Sequence, residues 1–142
     1  FNLMEITSDY ISQKFPGAHK VGILATDGTI GTRLYQKSLL ARNIQPIDFG
    51  KSPDLQHLVM QSIYSPDWGI KATGQEVSEK AVDALLKTMD ALILQECDLI
   101  ITGCTEISVA SSQGDLLKKY PLIDPLEIVA KEAIKYIYGY RE

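Results

Sequence analysis

The sequence is poor in the residue types on which several kinds of site depend. It holds only two cysteines and two histidines in 142 residues, at Cys97, Cys104, His19 and His57. Two thiols without a repeating spacing exclude a disulfide scaffold and favour a reducing cytoplasm. Isolated histidines give no cluster with the spacing of metal ligands. The sequence therefore predicts a cytoplasmic protein without a metal site.

Long apolar runs and an excess of positive charge are missing as well. No segment has the length and hydropathy of a membrane-spanning helix or the pattern of a signal peptide. The chain carries 14 basic against 18 acidic residues, for a net charge of −4, whereas a nucleic-acid-binding domain shows a basic balance. These absences favour a small-molecule ligand or a protein partner over nucleic acid or a membrane.

What the sequence does contain is an alternation of strand-like and helix-like segments. Hydrophobic residues make up 45% of the chain, which is enough for the core of one globular domain. Apolar runs at 20–25, 44–49, 98–103 and 121–123 predict strands. Helical periodicity predicts helices at 32–42, 52–62, 75–96, 106–112 and 125–138, with 64–74 as a surface loop. This order indicates an α/β fold with a parallel four-stranded sheet flanked by helices.

The end of the third predicted strand carries a reactive side chain. The run DLIITGCTE at 98–106 places Cys104 at a strand-to-helix turn, followed by Thr105 and Glu106. Ligands of open parallel sheets bind beyond the carboxyl ends of the strands, and a helix N-terminus favours a thiolate. Cys104 is therefore a candidate nucleophile or proton-transfer base. The alternative is a small buried residue at a strand end.

The second cysteine precedes the same strand and is expected to be a buried structural thiol. Seven residues of extended chain place Cys97 about 20 Å from Cys104, far beyond the ~7 Å Cα separation that a disulfide allows. A cysteine-histidine protease needs a histidine beside the thiol, and neither His19 nor His57 follows a predicted strand. The two thiols are therefore not expected to act together.

The first predicted strand ends in a turn rich in glycine and threonine, TDGTIGT at 26–32. Backbone N–H groups and hydroxyls at a helix N-terminus suit a carboxylate or a phosphate. The simpler alternative is an ordinary helix cap made by Asp27 or Thr29. The turn has neither the Walker spacing nor GxGxxG. It superficially resembles the opening of haloacid dehalogenase-type phosphatases, but Ala25 stands where that family has its nucleophilic aspartate.

Three motifs in this order resemble one family. GILATDGT at 22–29 with Tyr35 after it, ITGCTE at 101–106 and PLIDP at 121–125 are similar to the C-terminal portion of an aspartate/glutamate racemase. The resemblance implies one domain of a two-domain, pseudo-symmetric α/β enzyme, with the Cys104-bearing domain at 19–124. Helical spacing of apolar residues predicts an amphipathic helix at each end of the chain. The resemblance implies that the one within 1–18 packs on an N-terminal domain absent from this chain, and that the one within 125–142 packs on that domain or on a partner chain. The alternative is that both helices simply cover this sheet.

The resemblance implies a chemistry too. Proteins of this family invert amino acids without pyridoxal phosphate or metal, and they place one acid/base on each side of the substrate Cα. Cys104 is then the expected acid/base of one side. Glu106 stands where glutamate-specific racemases carry a histidine, which favours the broader aspartate/glutamate group. The expected substrate-binding residues are Gly28, Thr29, Thr32, Thr105 and Glu106.

The second catalytic residue would lie in the absent half, so the isolated chain is expected to be inactive. A homodimer, or a contact through the terminal helices, is the expected assembly. Two alternatives stay open at this point. One is a non-catalytic domain that binds carboxylates. The other is a sister activity, such as that of a hydantoin racemase or an arylmalonate decarboxylase.

Overall fold

A computed structural model describes residues 2–115 and 117–139. Its four strands lie close to the predicted ones, with each end within two residues. The strands are β1 Lys20–Leu24, β2 Gln45–Ile47, β3 Leu99–Thr102 and β4 Leu122–Ile123. The helices are α1 Leu3–Lys14, α2 Asp27–Thr32, α3 Leu34–Leu40, α4 Pro53–Tyr64, α5 Ile70–Thr73, α6 Glu79–Leu94, α7 Thr105–Ser112 and α8 Pro125–Tyr138.

The four strands form one parallel sheet in the order β2-β1-β3-β4. Alternate side chains of β1 enter two separate apolar cores, because successive residues of a strand point to opposite faces. Val21 and Ile23 pack with α1, α3 and α8, while Leu24 packs with α4, α6 and α7. Helices therefore cover both faces, and the predicted fold class of a parallel four-stranded α/β sheet flanked by helices is confirmed.

Two predicted segments differ from the structure. The helix expected at 32–42 is replaced by α2 and α3, because Arg33 between them adopts the left-handed conformation with φ 59° and cannot continue a helix. The segment expected to be a surface loop contains the one-turn helix α5, which begins after Gly69 and ends at Gly74. The long helix α6 begins at Glu79 because the hydroxyl of Ser78 accepts the N–H of Ala81 and caps it.

The two terminal helices pack on each other. Helix α1 contacts both α8 and α3, and Arg42 ties it to the end of α3 through Glu5 and Asp9, each 2.7 Å from a guanidinium nitrogen. The outward side of α8 nevertheless stays exposed. Its large uncovered side chains are Leu126, Ile134, Tyr136, Ile137 and Tyr138.

None of the helices in the described part of the chain is both long enough and apolar enough to span a bilayer.

Candidate active site

The strand order creates a crevice at one edge of the sheet. Strands β1 and β3 are neighbours, but the chain leaves them toward opposite faces: Ile30 of α2 joins one core and Ile107 of α7 joins the other. Such a switch point between parallel strands is where open α/β sheets bind ligands. The register pairs Leu24 with Thr102, so the threonine turn after β1 and the Cys104 turn after β3 flank this crevice.

Gly103 brings the two turns into close contact. Its N–H donates to the carbonyl of Leu24 at 2.8 Å. A Cβ at this position would lie 3.1 Å from the Cβ of Ala25 and 3.2 Å from the Leu24 oxygen. The ring of Tyr35 packs nearby, and its buried hydroxyl has no partner among the described residues. Burial, together with the charge of Asp124, raises the pKa of Tyr35 to about 12. A side chain at position 103 would therefore be crowded by the turn after β1.

Cys104 is the N-cap residue of α7, and its thiol is hydrogen-bonded. The Sγ–H donates to Oε2 of Glu106 at 2.9 Å. Burial and the Glu106 carboxylate raise the pKa of Cys104 to about 11, although the backbone N–H groups of Glu106 and Ile107 lower it. The thiol therefore keeps its proton at neutral pH. The helix contributes the predicted effect, but burial and the neighbouring carboxylate outweigh it.

Glu106 connects the thiol to a cation that sequence reasoning missed. Its Oε1 lies 2.8 Å from Nζ of Lys71, which sits 5.5 Å from the ring centre of Tyr64. Hydrogen bonds from Cys104 and Lys71 lower the pKa of Glu106 to about 2, so the carboxylate is ionised. Lys71 lies on α5, inside the segment expected to be a loop. One available signal was the length of that segment, since long connections are often functional.

The threonine turn is an ordinary helix cap as far as its backbone is concerned. The capping residue is Thr26, whose Oγ1 accepts the N–H of Thr29 at 3.4 Å, rather than Asp27 or Thr29 as the simple alternative assumed. The carboxylate of Asp27 instead accepts a hydrogen bond from Gln56 at 2.9 Å. Gly28 is exposed and Thr29 is half-buried in the first turn of α2, which follows the carboxyl end of β1.

The other predicted substrate-binding residues divide into two groups. Thr105 is the exposed first residue of α7, so Cys104, Thr105 and Glu106 belong to one turn. Thr32 lies at the opposite end of α2, where its hydroxyl donates to the carbonyl of Thr29 at 2.8 Å. The structure therefore gathers the Cys104 turn and the Gly28–Thr29 turn at the crevice, and it engages the Thr32 hydroxyl within its own helix.

The second thiol lies at the other end of β3. Cys97 is buried, and burial raises its pKa to about 11. Both cysteines are free thiols. In the part of the chain that the structure describes, no group of three or more histidine, cysteine, aspartate or glutamate side chains is placed to hold a metal ion.

Comparisons with known proteins agree on one family. The family model of Asp/Glu/hydantoin racemases matches residues 1–133. The chain is 30% identical to the glutamate racemase of Carboxydothermus hydrogenoformans over 94% of this chain and 46% of that enzyme. It is 29% identical to an uncharacterised protein of the pnlA 3′ region of Pectobacterium carotovorum, over 96% of this chain and 84% of that protein.

A solved structure shows the same fold. The crystal structure of a Yersinia pestis protein assigned to the Asp/Glu racemases superposes with a TM-score of 0.77 and 26% identity, covering 95% of this chain and 54% of that one. The chain therefore spans about half the length of the glutamate racemase and of the Yersinia protein.

Proposed function

The chain belongs to the Asp/Glu/hydantoin racemase family, and we propose that it forms one half of a cofactor-independent amino-acid racemase acting on aspartate, glutamate or a close relative. The observation that carries this proposal is the position of Cys104, whose thiol is held by Glu106 in the crevice between the carboxyl ends of β1 and β3. In this proposal Cys104 transfers a proton to or from one face of the substrate Cα.

Because Cys104 is protonated at neutral pH, it acts first as a proton donor in the proposed reaction. With a pKa of about 11 the thiol keeps its proton at neutral pH. A base on the opposite face removes the Cα proton of one enantiomer, and the resulting carbanion takes the S–H proton of Cys104 to give the other. In the reverse direction the thiolate removes the Cα proton and the opposite group returns one. Each turnover therefore moves one proton onto Cα and one away from it.

The substrate carboxylates need hydrogen-bond donors and positive charge around this thiol. In the proposal, Gly28 and Thr29 on one turn and Thr105 on the other donate to the α-carboxylate, which suits the exposed start of α2 and of α7. Lys71 is linked to the thiol through its pair with Glu106. Because the Glu106–Lys71 pair is only partly buried, an entering carboxylate could compete with Glu106 for the ammonium.

The opposite face requires a second acid/base that this chain would not supply. Cys97 lies at the wrong end of β3. We propose that a second α/β unit packs on the terminal helices, one within 1–18 and the other within 125–142, leaving 19–124 as the Cys104-bearing domain. The exposed apolar side of α8 supports this, since a continuous apolar surface is seldom left uncovered. A homodimer contact through the same helices is the alternative arrangement.

Solvent deuterium exchange at Cα tests the role of Cys104. L- and D-aspartate and L- and D-glutamate are incubated in D2O with the protein as its gene encodes it, and Cα deuteration is followed by NMR. Cys104→Ser is expected to lower exchange about 100-fold or more, since loss of a general acid/base costs roughly 10² to 10⁴ in rate. Cys97→Ser is the matched control and is expected to keep full exchange.

The two enantiomers give different information. As a thiolate, Cys104 removes the proton of only one of them, so Cys104→Ser is expected to affect the initial exchange of the two unequally. Exchange that persists unchanged in Cys104→Ser would overturn the proposed role. Binding of these amino acids without any exchange in the unaltered protein would favour a non-catalytic carboxylate-binding domain.

One observation keeps a sister activity as a second candidate. The matching family model includes hydantoin racemases, whose substrates also carry an acidic carbon beside a carbonyl group. Exchange assays with 5-substituted hydantoins under the same conditions distinguish the two, since exchange with hydantoins and none with amino acids would favour the sister activity.

A further inference from the structure

A second cavity lies away from the Cys104 crevice. It has a volume of about 460 Å³ and opens between the α2–α3 junction and the segment that follows β2. None of the proposed catalytic or substrate-binding residues lines it. Its walls include Ile30, Arg33, Pro46, Ile47, Asp48 and Lys51.

Two unpaired cations line this cavity. Neither Arg33 nor Lys51 forms an ion pair within residues 2–115 and 117–139, whereas Arg42 pairs with Glu5 and Asp9. The chain as a whole carries a net charge of −4, whereas these two cations lie on the same cavity. Their shared surroundings attract an anion.

The single acidic residue of the cavity is already occupied by hydrogen bonds. Oδ1 of Asp48 accepts the N–H of Gly50 at 2.7 Å, and Oδ2 accepts Nε2 of Gln36 at 3.0 Å. The same Nε2 lies 3.3 Å from the carbonyl oxygen of Ile30, and Gln36 is only 1% exposed. These bonds fix this wall of the cavity in place and engage both oxygens of the Asp48 carboxylate.

Arg33 reaches this cavity from a costly backbone conformation. Its φ of 59° and ψ of 18° lie in the left-handed region, which is unfavourable for a residue with a side chain. Such conformations concentrate at binding and catalytic positions. The rest of the cavity surface is largely apolar, through Ile30, Pro46 and Ile47.

We propose that this cavity binds a phosphate monoester with a small apolar body, in addition to the function proposed above. The guanidinium of Arg33 provides paired N–H donors and Lys51 a second positive charge, which together match a phosphate dianion better than a single carboxylate. The volume exceeds that of phosphate alone, so the body of the ester packs on Ile30, Pro46 and Ile47. Because α2 joins this cavity to the Thr29 turn, occupancy also stabilises the substrate-binding turn.

Titration with two probes tests the site. Phenyl phosphate and inorganic phosphate are added to the full chain at constant ionic strength, and the amide signals of Gly31 and Gly50, which also line the cavity, are followed by NMR. Saturable shifts of these two signals are expected, with phenyl phosphate binding at least fivefold more tightly. Shifts that do not saturate, or that sodium chloride reproduces, would overturn the proposal.

A charge-matched pair of double variants makes the test specific. Arg33→Gln with Lys51→Gln is expected to weaken phenyl phosphate binding at least tenfold. Lys37→Gln with Lys87→Gln removes the same charge from exposed positions outside the cavity and is expected to leave binding unchanged. Lys51→Gln alone, which leaves the α2–α3 junction intact, is expected to weaken binding at least threefold. Equal affinity in the cavity variants and the control would contradict the assignment.

Discussion

The two cysteines lie at opposite ends of one strand, and similar pKa values at the two ends arise from different causes. Both thiols have a pKa of about 11. At Cys97 the main cause is burial in the apolar core, and the nearby charges of Lys20 and Asp98 act in opposite directions. At Cys104 burial is joined by a direct hydrogen bond to a carboxylate.

This difference matters because the burial of Cys97 is fixed by the fold, whereas the hydrogen bond between Cys104 and Glu106 can be broken. A ligand that displaces Glu106, or a change in its charge, lowers the pKa of Cys104 while leaving Cys97 untouched. The thiol at the carboxyl end of β3 thus has a pKa that its surroundings can change, whereas the thiol at the amino end has a pKa fixed by burial.

The largest expected effect comes from filling the space beside Cys104. Gly103→Val places a side chain against Ala25 and the Leu24 carbonyl, at 3.1 and 3.2 Å from its Cβ. We expect unfolding in urea to show a loss of about 1–3 kcal/mol, the usual cost of overpacking, with a parallel loss of Cα exchange.

A substitution beside Cys97 is expected to act in the opposite direction and to stabilise the chain. Glu96 has φ 67°, a conformation that glycine adopts without strain. Glu96→Gly is expected to raise the free energy of unfolding by about 0.5–1 kcal/mol, the usual scale of backbone strain and entropy effects. Conversely, a Gly103→Val variant as stable as the unaltered chain would contradict the tight contact between the turns after β1 and β3.

An intermediate effect is expected on thiol reactivity. Glu106→Gln removes the carboxylate that raises the pKa of Cys104, and it also frees the Lys71 ammonium nearby. Each unit by which the pKa falls gives about tenfold more thiolate, so alkylation of Cys104 by iodoacetamide at pH 8 is expected to accelerate about tenfold.

Asp98→Asn is the matched change near Cys97, where burial dominates. Alkylation of Cys97, mapped by mass spectrometry of the same samples, is expected to stay slow in both variants. A Cys104 rate that does not increase in Glu106→Gln would show that burial alone sets its pKa.

The smallest expected effect is a pH dependence of folding stability to which both Cys97 and Cys104 contribute. Because both thiols hold their protons more tightly in the folded chain than their ordinary pKa of 9.0 implies, their stabilising contribution is complete below pH 9. It is lost as the pH rises toward 11. At pH 10 the loss is about 1 kcal/mol per thiol.

Unfolding measured from pH 8 to 11 checks this. Cys97→Ser and Cys104→Ser should each decline less steeply than the unaltered chain. A slope that neither substitution changes would argue against raised pKa values at these thiols.

Much of the fold could be predicted because periodicity reports burial. Successive side chains of the buried strands enter the two cores, so the strands are visible as apolar runs. The motif around Cys104 comes directly after one of these runs. The break at Arg33 could not be predicted, since arginine carries no signal for a left-handed conformation. Helix α5 was hidden by a segment rich in glycine and proline.

The candidate site shows the same division. The sequence located Cys104, Thr105 and Glu106 in one turn because they are adjacent in the chain. It could not locate Lys71, which lies 35 positions before Glu106 and reaches it only through the packing of α5 on α7. It anticipated that the helix N-terminus lowers the pKa of Cys104, but not that burial and the bond to Glu106 raise it by more, because these depend on the fold.

By itself, then, the sequence determined the α/β class and the strand that precedes Cys104, since both depend on local patterns of apolar and polar residues. Its motifs also carried the resemblance to racemases. Only the tertiary structure decided the state of the thiol and the composition of its surroundings. The physical reason is that the Cys104–Glu106 hydrogen bond, the Glu106–Lys71 ion pair and the partial burial of the thiol depend on distances that chain order does not encode.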